Sequence, residues 1–395
     1  MQLKDVATVK GGKRLPKSDT LVGVKTNHPY IRIRDMYQSY PLEINDKFEY
    51  ITEDTHQKIK QYIVEEGDVI IAVVGNTIGL VSLIGKSLNG ANLTENCDKI
   101  VNLHNYDNRF LYYFLKSQEG QDEIRKGIVG SSQPKLPIYN IERFEIPDIS
   151  IDIQMKIVEI IEDIDKKIKT NEEINKNLVE QVLAVYRHRF VDTTNELRQT
   201  CRADEYFDIS IGKTPPRKEP RWFSTNPKDV TWVSISDMGT CGLYISESSE
   251  QLTREAVDRH NVKIVPDNTV LLSFKLTVGR IAITDGAMTT NEAIAHFKTD
   301  KKEINEYLYC YLKCFNYQTM GSTSSIATAV NSKIIKGMPF VVPTDEEITE
   351  FHSLATSMFA KIKANQTEIS NLAALRDTLL PKLMSGELDV SDIDL

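Results

Sequence analysis

The chain lacks any apolar run of the roughly 18 residues a membrane-spanning helix needs, and its first residues (MQLKDVATVKGGKR) lack the apolar stretch of a secretory signal. No membrane partner is expected, and the expected location is the cytoplasm. Cysteine is scarce, with five in 395 residues: Cys97, Cys201, Cys241, Cys310 and Cys314. None belongs to a C-x-x-C pair matched by a second pair or by histidines at zinc spacing, so no metal site is expected. Cys310 and Cys314 lie one helical turn apart in an aromatic segment and read as core thiols. Net positive charge is missing too: the formal charge is −8. That argues against a nucleic-acid partner only if the charge is evenly spread.

Catalytic signatures are equally hard to find. There is no G-x-x-x-x-G-K-[ST] loop and no G-x-G-x-x-G after a strand. Gly11-Gly12-Lys13 has neither the spacing nor the hydroxyl of a nucleotide-phosphate loop. No G-x-S-x-G elbow exists, and the seven histidines are dispersed. Asn27-His28-Pro29-Tyr30 is similar to the Asn/Asp-Pro-Pro-aromatic turn that holds an amine for methylation, but His28 replaces the first proline. Its second copy, Asp229-Val230-Thr231-Trp232, drops the motif. Pro266-Asp267 followed by Ser273-Phe274-Lys275 lacks the second acid of a Mg²⁺-dependent nuclease. The chain is expected to be no enzyme.

What the sequence does contain is itself, twice. Asn27 to Met36 (NHPYIRIRDM) returns about 200 residues later as Asp229 to Met238 (DVTWVSISDM). Val64 to Val73 matches Val265 to Phe274, and Thr77-Ile78-Gly79 matches Thr277-Val278-Gly279. Asn108 to Lys116 matches Asn305 to Lys313, Phe144 to Pro147 matches Phe340 to Pro343, and Lys167 to Asn171 matches Lys361 to Asn365. The period is far too long for a solenoid. It is the duplication of a globular module followed by a helix, an arrangement that approximates a two-fold axis and suits a two-part target such as duplex DNA.

The fold class expected is α+β: two mixed α/β modules separated by two long helices in an antiparallel, pseudo-two-fold coiled coil. The divisions fall at 1–150 (first module), 151–190 (first helix), 191–345 (linker and second module), 346–386 (second helix) and 387–395 (a flexible acidic tail). In the first module, Tyr30-Ile31-Arg32-Ile33-Arg34 alternates with period two, predicting a strand with Arg32 and Arg34 on its polar face. Val69 to Val74 is a continuous apolar run, the pattern of a strand buried on both faces, and Leu80 to Ile84 returns as its hairpin partner. From Asp152 to about Phe190 no proline or glycine interrupts a 4-3 apolar spacing. Such a helix is roughly 55 Å long. Its seam is Ile157, Ile161, Ile164, Ile168, Asn171, Leu178 and Val182; the second helix contributes Ile362, Asn365, Ile369, Leu372 and Leu379. Asn171 and Asn365 sit at equivalent seam places, where a polar residue costs stability but fixes register.

Positive charge is local and duplicated. Lys10, Lys13, Arg14, Lys17, Lys25, Arg32 and Arg34 cluster in the first module; Lys213, Arg217, Lys218, Arg221 and Lys228 occupy the matching place in the second. The hydroxyl-rich loops Gly130 to Leu136 (Ser131, Ser132, Gln133, Lys135) and Gly321 to Ser325 (Ser322, Ser324) also correspond, and such loops approach a phosphate backbone or base edges. Ser234 and Ser236 stand where the first module has Arg32 and Arg34, so the two modules should prefer different sequences. Asn76, Lys275 and Lys333 complete the candidate DNA contacts.

At these residues the chain resembles the specificity subunit of type I restriction-modification systems. The likeness rests on Gly67-Asp68-Val69-Ile70 with Asn76-Thr77-Ile78-Gly79, and on Thr277-Val278-Gly279-Arg280. It rests further on Gly130 to Leu136, on Pro147 to Gln154, and on the ending Leu375 to Leu388. Asn268 departs from the pattern by replacing the glycine of the Gly-Asp turn. The resemblance implies two target-recognition domains, each reading one half of a bipartite asymmetric site in double-stranded DNA, with the helices as a ruler. It implies two modification subunits carrying S-adenosylmethionine for adenine-N6 methylation. Where restriction (translocase) subunits are present, they would carry ATP and Mg²⁺. It implies no cofactor on this chain. A coiled-coil scaffold that binds only proteins, and a diverged DNA methyltransferase or nuclease, remain open at this point.

Overall fold

The computed structural model describes residues 1–37, 40–193, 198–320 and 331–391. Two compact units divide the chain: Met1–Lys167 with Asn371–Leu395, and Ile168–Ser370. Each long helix contributes one half to each unit, since the helices run Ile151–Tyr186 and Asp345–Met384.

In the first unit the main sheet has the order Thr8–Gly11, Cys97–Val101, Val69–Ala72, Val81–Leu83, with every neighbour antiparallel. Leu42 adds a parallel bridge to Ile84 at its edge. The apolar run is explained by the packing. Val69 and Ile71 face one core with Ile100, Phe110 and Leu111. Ile70 and Ala72 face another with Ile31, Leu42 and Cys97. The aromatic segment forms Asn108–Lys116, started by Asp107, whose carboxylate accepts from the Arg109 and Phe110 N–H groups. Ile157, Val158 and Ile161 of the first long helix close the first core together with Leu380, Leu383 and Met384 of the second. Arg376 pairs with Asp165 across them at 2.8 Å. Val390, expected in a frayed tail, is 3% exposed and sits in the same core. An apolar residue two places after Leu388 is enough to anchor this stretch.

The second unit repeats the plan. Its sheet has the order Tyr244–Ile245, Ile281–Thr284, Val270–Ser273, Ile294–Lys298, Asp208–Ile211. Thr289–Thr290, Val230–Val233, Glu250–Leu252 and Phe223–Ser224 form a second sheet. Gln199–Arg202 pairs antiparallel with Pro339–Val342, so the expected linker already contains a strand. Asn268, at φ +52°, adopts the left-handed backbone that Gly67 adopts at φ +86°. Asparagine tolerates that region, and both turns are held alike: Asn108 Nδ2 donates to the Gly67 carbonyl at 2.7 Å and Asn305 Nδ2 to the Asn268 carbonyl at 2.8 Å. Cys310 is fully buried in this unit's core, which pushes its thiol pKa up, and Cys314 is half-buried against the same core.

The helices pair antiparallel within the second unit. Asn171 Nδ2 donates to Glu368 at 2.9 Å, Asn365 Nδ2 to Asn175 at 2.8 Å, and the Tyr186 and Phe351 rings lie 6.1 Å apart. Asn171 and Asn365 are buried as seam residues but bond to different partners rather than to each other. Ile157, Ile161, Val182 and Ile362 are buried; Ile164, Ile168, Leu178, Ile369, Leu372 and Leu379 are half-buried. Helix–helix and helix–module packing coexist: Val182, Tyr186, Phe351, Ala355 and Ile362 share a core with the second unit's sheet.

Candidate nucleic-acid interface

The same chain crossing builds the candidate surface in each unit. After Thr8–Gly11, Gly12 passes so close to the opposite loop that a Cβ would lie 1.9 Å from the Thr94 carbonyl oxygen. Only glycine fits. The crossing is fastened by Gly12 N–H to Cys97 O at 3.0 Å and Lys13 N–H to Leu93 O at 2.8 Å. Tyr30 Oη then donates to the Lys13 carbonyl at 2.7 Å. In the second unit a Cβ on Gly212 would lie 2.1 Å from Thr290 Oγ1, Lys213 N–H bonds to Thr290 O at 2.9 Å, and Trp232 Nε1 donates to the Lys213 carbonyl at 3.2 Å. Tyr30 and Trp232 thus do one job from one place, although the residue type changed.

The period-two reading of Tyr30 to Arg34 is corrected. The strand is only Tyr30–Ile31, and Ile33–Asp35 is a 3-10 turn. The Asp35 carboxylate ends the strand by accepting from the Arg32 backbone N–H at 2.9 Å. Arg32 and Arg34 therefore converge instead of lining a polar strand face. Arg32 bonds Asp35 through Nε and Nη2 at 3.1 and 3.2 Å and meets Glu49 through Nη1; Arg34 meets the same Glu49. Arg14 bonds Glu95 at 2.5 Å. Burial alone would raise the Glu95 pKa, but the Arg14 guanidinium, the Glu95 backbone N–H and the Thr94 hydroxyl together bring the carboxyl below its ordinary value. Arg14, Arg32 and Arg34 line one shallow cleft of about 400 Å³ with Tyr30, Thr94, Glu95 and Asn96. Three guanidiniums there are matched by Asp35, Glu49 and Glu95, so the arginines are charge-balanced, and Arg32, mostly covered and bonded to two carboxylates, is held in place.

Lysines behave differently. Lys13, Lys17 and Lys25 are exposed and form no ion pair among the described residues; Lys13 lies 5.5 Å from the Tyr62 ring centroid. Lys10 is exposed on the edge strand, near Asp68 and Lys99. In the second unit Lys218 and Lys228 are exposed, and Lys213 Nζ donates to the His260 carbonyl at 2.6 Å. Arg217 makes a two-pronged pair with Glu250 at 2.9 and 2.8 Å and lies over Phe223 and Trp232. Arg221 pairs with Glu219 and lies 4.2 Å from the Trp222 ring centroid, with Arg259 at 5.5 Å from the same ring.

The loop after Gly130 joins this surface in the first unit. Lys135 bridges both Val129 and Val74, Gly75 N–H bonds to Pro134 O at 3.0 Å, and Leu136 N–H bonds to Val73 O at 2.9 Å. Exposed Asn76 is therefore beside exposed Ser131, Ser132, Gln133 and Lys135. Val73 N–H bonds to Asn96 O at 2.9 Å, so the arginine cleft and this loop meet at one end of Val69–Ala72. Ser322 and Ser324 lie outside the described residues. Lys333 is exposed on the short helix Ser332–Lys336. Ser234 is spent locally: its N–H and Oγ both donate to Asp237 Oδ2 at 2.7 Å, while Ser236 is exposed.

Sequence reasoning missed the carboxylates. Glu49 and Glu250 occupy matching places, three residues before Thr52 and Thr253, which cap the following helices. Glu95 and Glu292 match as well, two residues before Cys97–Val101 and Ile294–Lys298. Glu292 accepts from Thr214, the residue after Lys213, as Glu95 accepts from Arg14 after Lys13. Burial raises the Glu292 pKa, but the Thr214 hydroxyl, Lys275 and Arg217 bring it below the ordinary range. The repeated Glu-x-Ile/Leu-Thr spacing was a usable signal for Glu49 and Glu250. Among the described residues no group of three or more His, Cys, Asp or Glu is placed to hold a metal ion. No described helix is long and apolar enough to cross a membrane.

Two stretches, residues 1–180 and 196–371, match the family described as type I restriction modification DNA specificity domain. The chain belongs to that family, and the duplication is a duplication of its domain. It is 23% identical over 420 residues to the type I restriction enzyme MjaIX specificity subunit of Methanocaldococcus jannaschii, covering 99% of this chain and 94% of that protein. It is 27% identical over 184 residues to the HindI specificity subunit of Haemophilus influenzae, covering 46% of this chain and 39% of that one. The fold is similar to that of the crystal structure of the type I restriction-modification system S subunit from M. genitalium. The TM-score is 0.54 at 15% identity, over 97% of this chain and 95% of the other.

Proposed function

We propose that this chain is the DNA-reading subunit of a type I restriction-modification complex, taking a bipartite, asymmetric duplex target with one module per half-site. The observation that carries the reading is the duplicated crossing: the same glycine-lysine step, aromatic donor and glutamate pair in both units, with different side chains displayed around them. Exposed lysines supply phosphate contacts that carry no sequence information. Glutamate-framed Arg32, Arg34 and Arg217 supply planar donors of the kind that read guanine O6 and N7. Because Ser234 replaces Arg32, the half-sites differ. The continuous helices set the number of base pairs between them. Modification subunits supply S-adenosylmethionine and adenine-N6 methylation, restriction subunits supply ATP- and Mg²⁺-dependent work, and this chain contributes recognition without catalysis.

The test is a methylome compared with and without the gene. A bipartite N6-methyladenine motif lost on deletion supports the reading; an unchanged methylome ends it. Purified chain assayed alone with Mg²⁺ and S-adenosylmethionine should leave duplex DNA unaltered, and cleavage or methylation by it would overturn the non-catalytic assignment.

A further inference from the structure

Among the described residues, five non-glycine positions have positive φ, and four of them are asparagines. The fifth is Leu276, at φ +60°. Leucine is disfavoured there because its Cβ crowds the backbone. It is also 100% exposed, so it gains nothing from burial in return. The turn is no loose tip. Thr277 N–H bonds to the Lys275 carbonyl at 2.6 Å across Leu276, closing a three-residue turn of the rarer, strained hand. Ser273, fully buried, fastens it from beneath: its Oγ donates to the Thr277 carbonyl at 2.6 Å and accepts from Arg280 N–H at 3.0 Å. The first unit's turn is one residue longer, Val74 to Thr77 against Lys275 to Thr277, and takes its positive φ on a glycine, Gly75 at φ +68°, with open space around the missing Cβ. Glycine suits that backbone without cost, so the fold of the turn does not require leucine.

A strained, exposed apolar side chain on a rigid turn points to a surface that is covered when the protein works. The turn leaves the same end of its sheet that carries the candidate interface: Phe274 N–H bonds to Ala293 O at 2.9 Å, beside Glu292, and Lys275 acts on that carboxylate. Resting on the DNA-reading assignment above, we infer that Leu276 is a specificity residue of the second module, packing on a thymine C5-methyl in the major groove. That methyl is the apolar feature a base pair presents there. Wedging between base pairs fits less well, because unstacking a step costs about as much as one buried leucine returns.

The test uses the full chain in its complex with modification subunits and a duplex carrying the motif found in the methylome, with each thymine of each half-site replaced singly by deoxyuridine. Wild type should lose roughly fivefold in affinity at one thymine of one half-site. Leu276→Gly should lose about the same on the thymine duplex and be indifferent to that replacement. Its melting temperature should be no lower than wild type, and its salt slope unchanged because no phosphate contact is lost. Equal losses on thymine and uracil duplexes, a half-site without thymine on either strand, or a Leu276→Gly variant that binds as wild type would each overturn the inference. Failure of wild type to prefer its motif over scrambled duplex would instead overturn the DNA-reading assignment.

Discussion

If lysines supply phosphate contacts while the arginines are pre-balanced by carboxylates, salt dependence should separate the two. The perturbation is Lys13→Gln with Lys17→Gln, both exposed and without an ion pair among the described residues. Each phosphate neutralised contributes about 0.9 to the slope of log affinity against log salt, so losing two contacts should reduce the slope by about 1.8. Between 50 and 200 mM salt, a fourfold change, wild-type affinity should therefore fall about tenfold more than the variant's. The control is Arg14→Gln with Glu95→Gln, which deletes a 2.5 Å ion pair of zero net charge and should leave the slope within about 0.3 of wild type. Fluorescence anisotropy titrations of a labelled duplex at four or more salt concentrations give both slopes. The reasoning is refuted if the lysine variant keeps the wild-type slope, or if removing the neutral pair reduces it as much as removing two lysines.

Three further outcomes follow from the geometry. Asp98 is buried in the central strand Cys97–Val101, and burial pushes its pKa up to about 7. The folded chain then holds a proton that the unfolded chain releases near pH 4, so stability should fall as pH rises from about 4 to about 7 and level off above. Asp98→Asn should remove that slope and stabilise the first unit at pH 8 by up to about 4 kcal/mol, read from melting temperature against pH; an unchanged profile contradicts the assignment. Asn365 is fully buried with its Oδ1 unpartnered among the described residues, and its Nδ2 bonds only half-buried Asn175, whose amide can bond water instead, so Asn365→Leu should raise stability by about 1 kcal/mol, and a lower melting temperature would count against it. Four residues inserted into each long helix add about 6 Å and should lengthen the nonspecific spacer of the methylated motif by about one or two base pairs; an identical spacer defeats the ruler.

The sequence by itself determined the repeat, the two long helices and the doubly buried strand Val69–Ala72. These are statements about period and duplication, which local side-chain order carries without reference to distant contacts. The seam asparagines were legible for the same reason. What surrounds the candidate site was not. Tyr30 to Arg34 alternates as a strand should, but a carboxylate three residues on competes for the Arg32 N–H and ends it. Glu49 and Glu95 read as ordinary surface acids until folding brings them 15 and 81 residues back along the chain to Arg34 and Arg14. Leu276 is one apolar residue among many in sequence; only the backbone conformation and full exposure single it out. Charge pairing, strain and exposure depend on distances between residues remote in sequence, so the tertiary structure alone decided them.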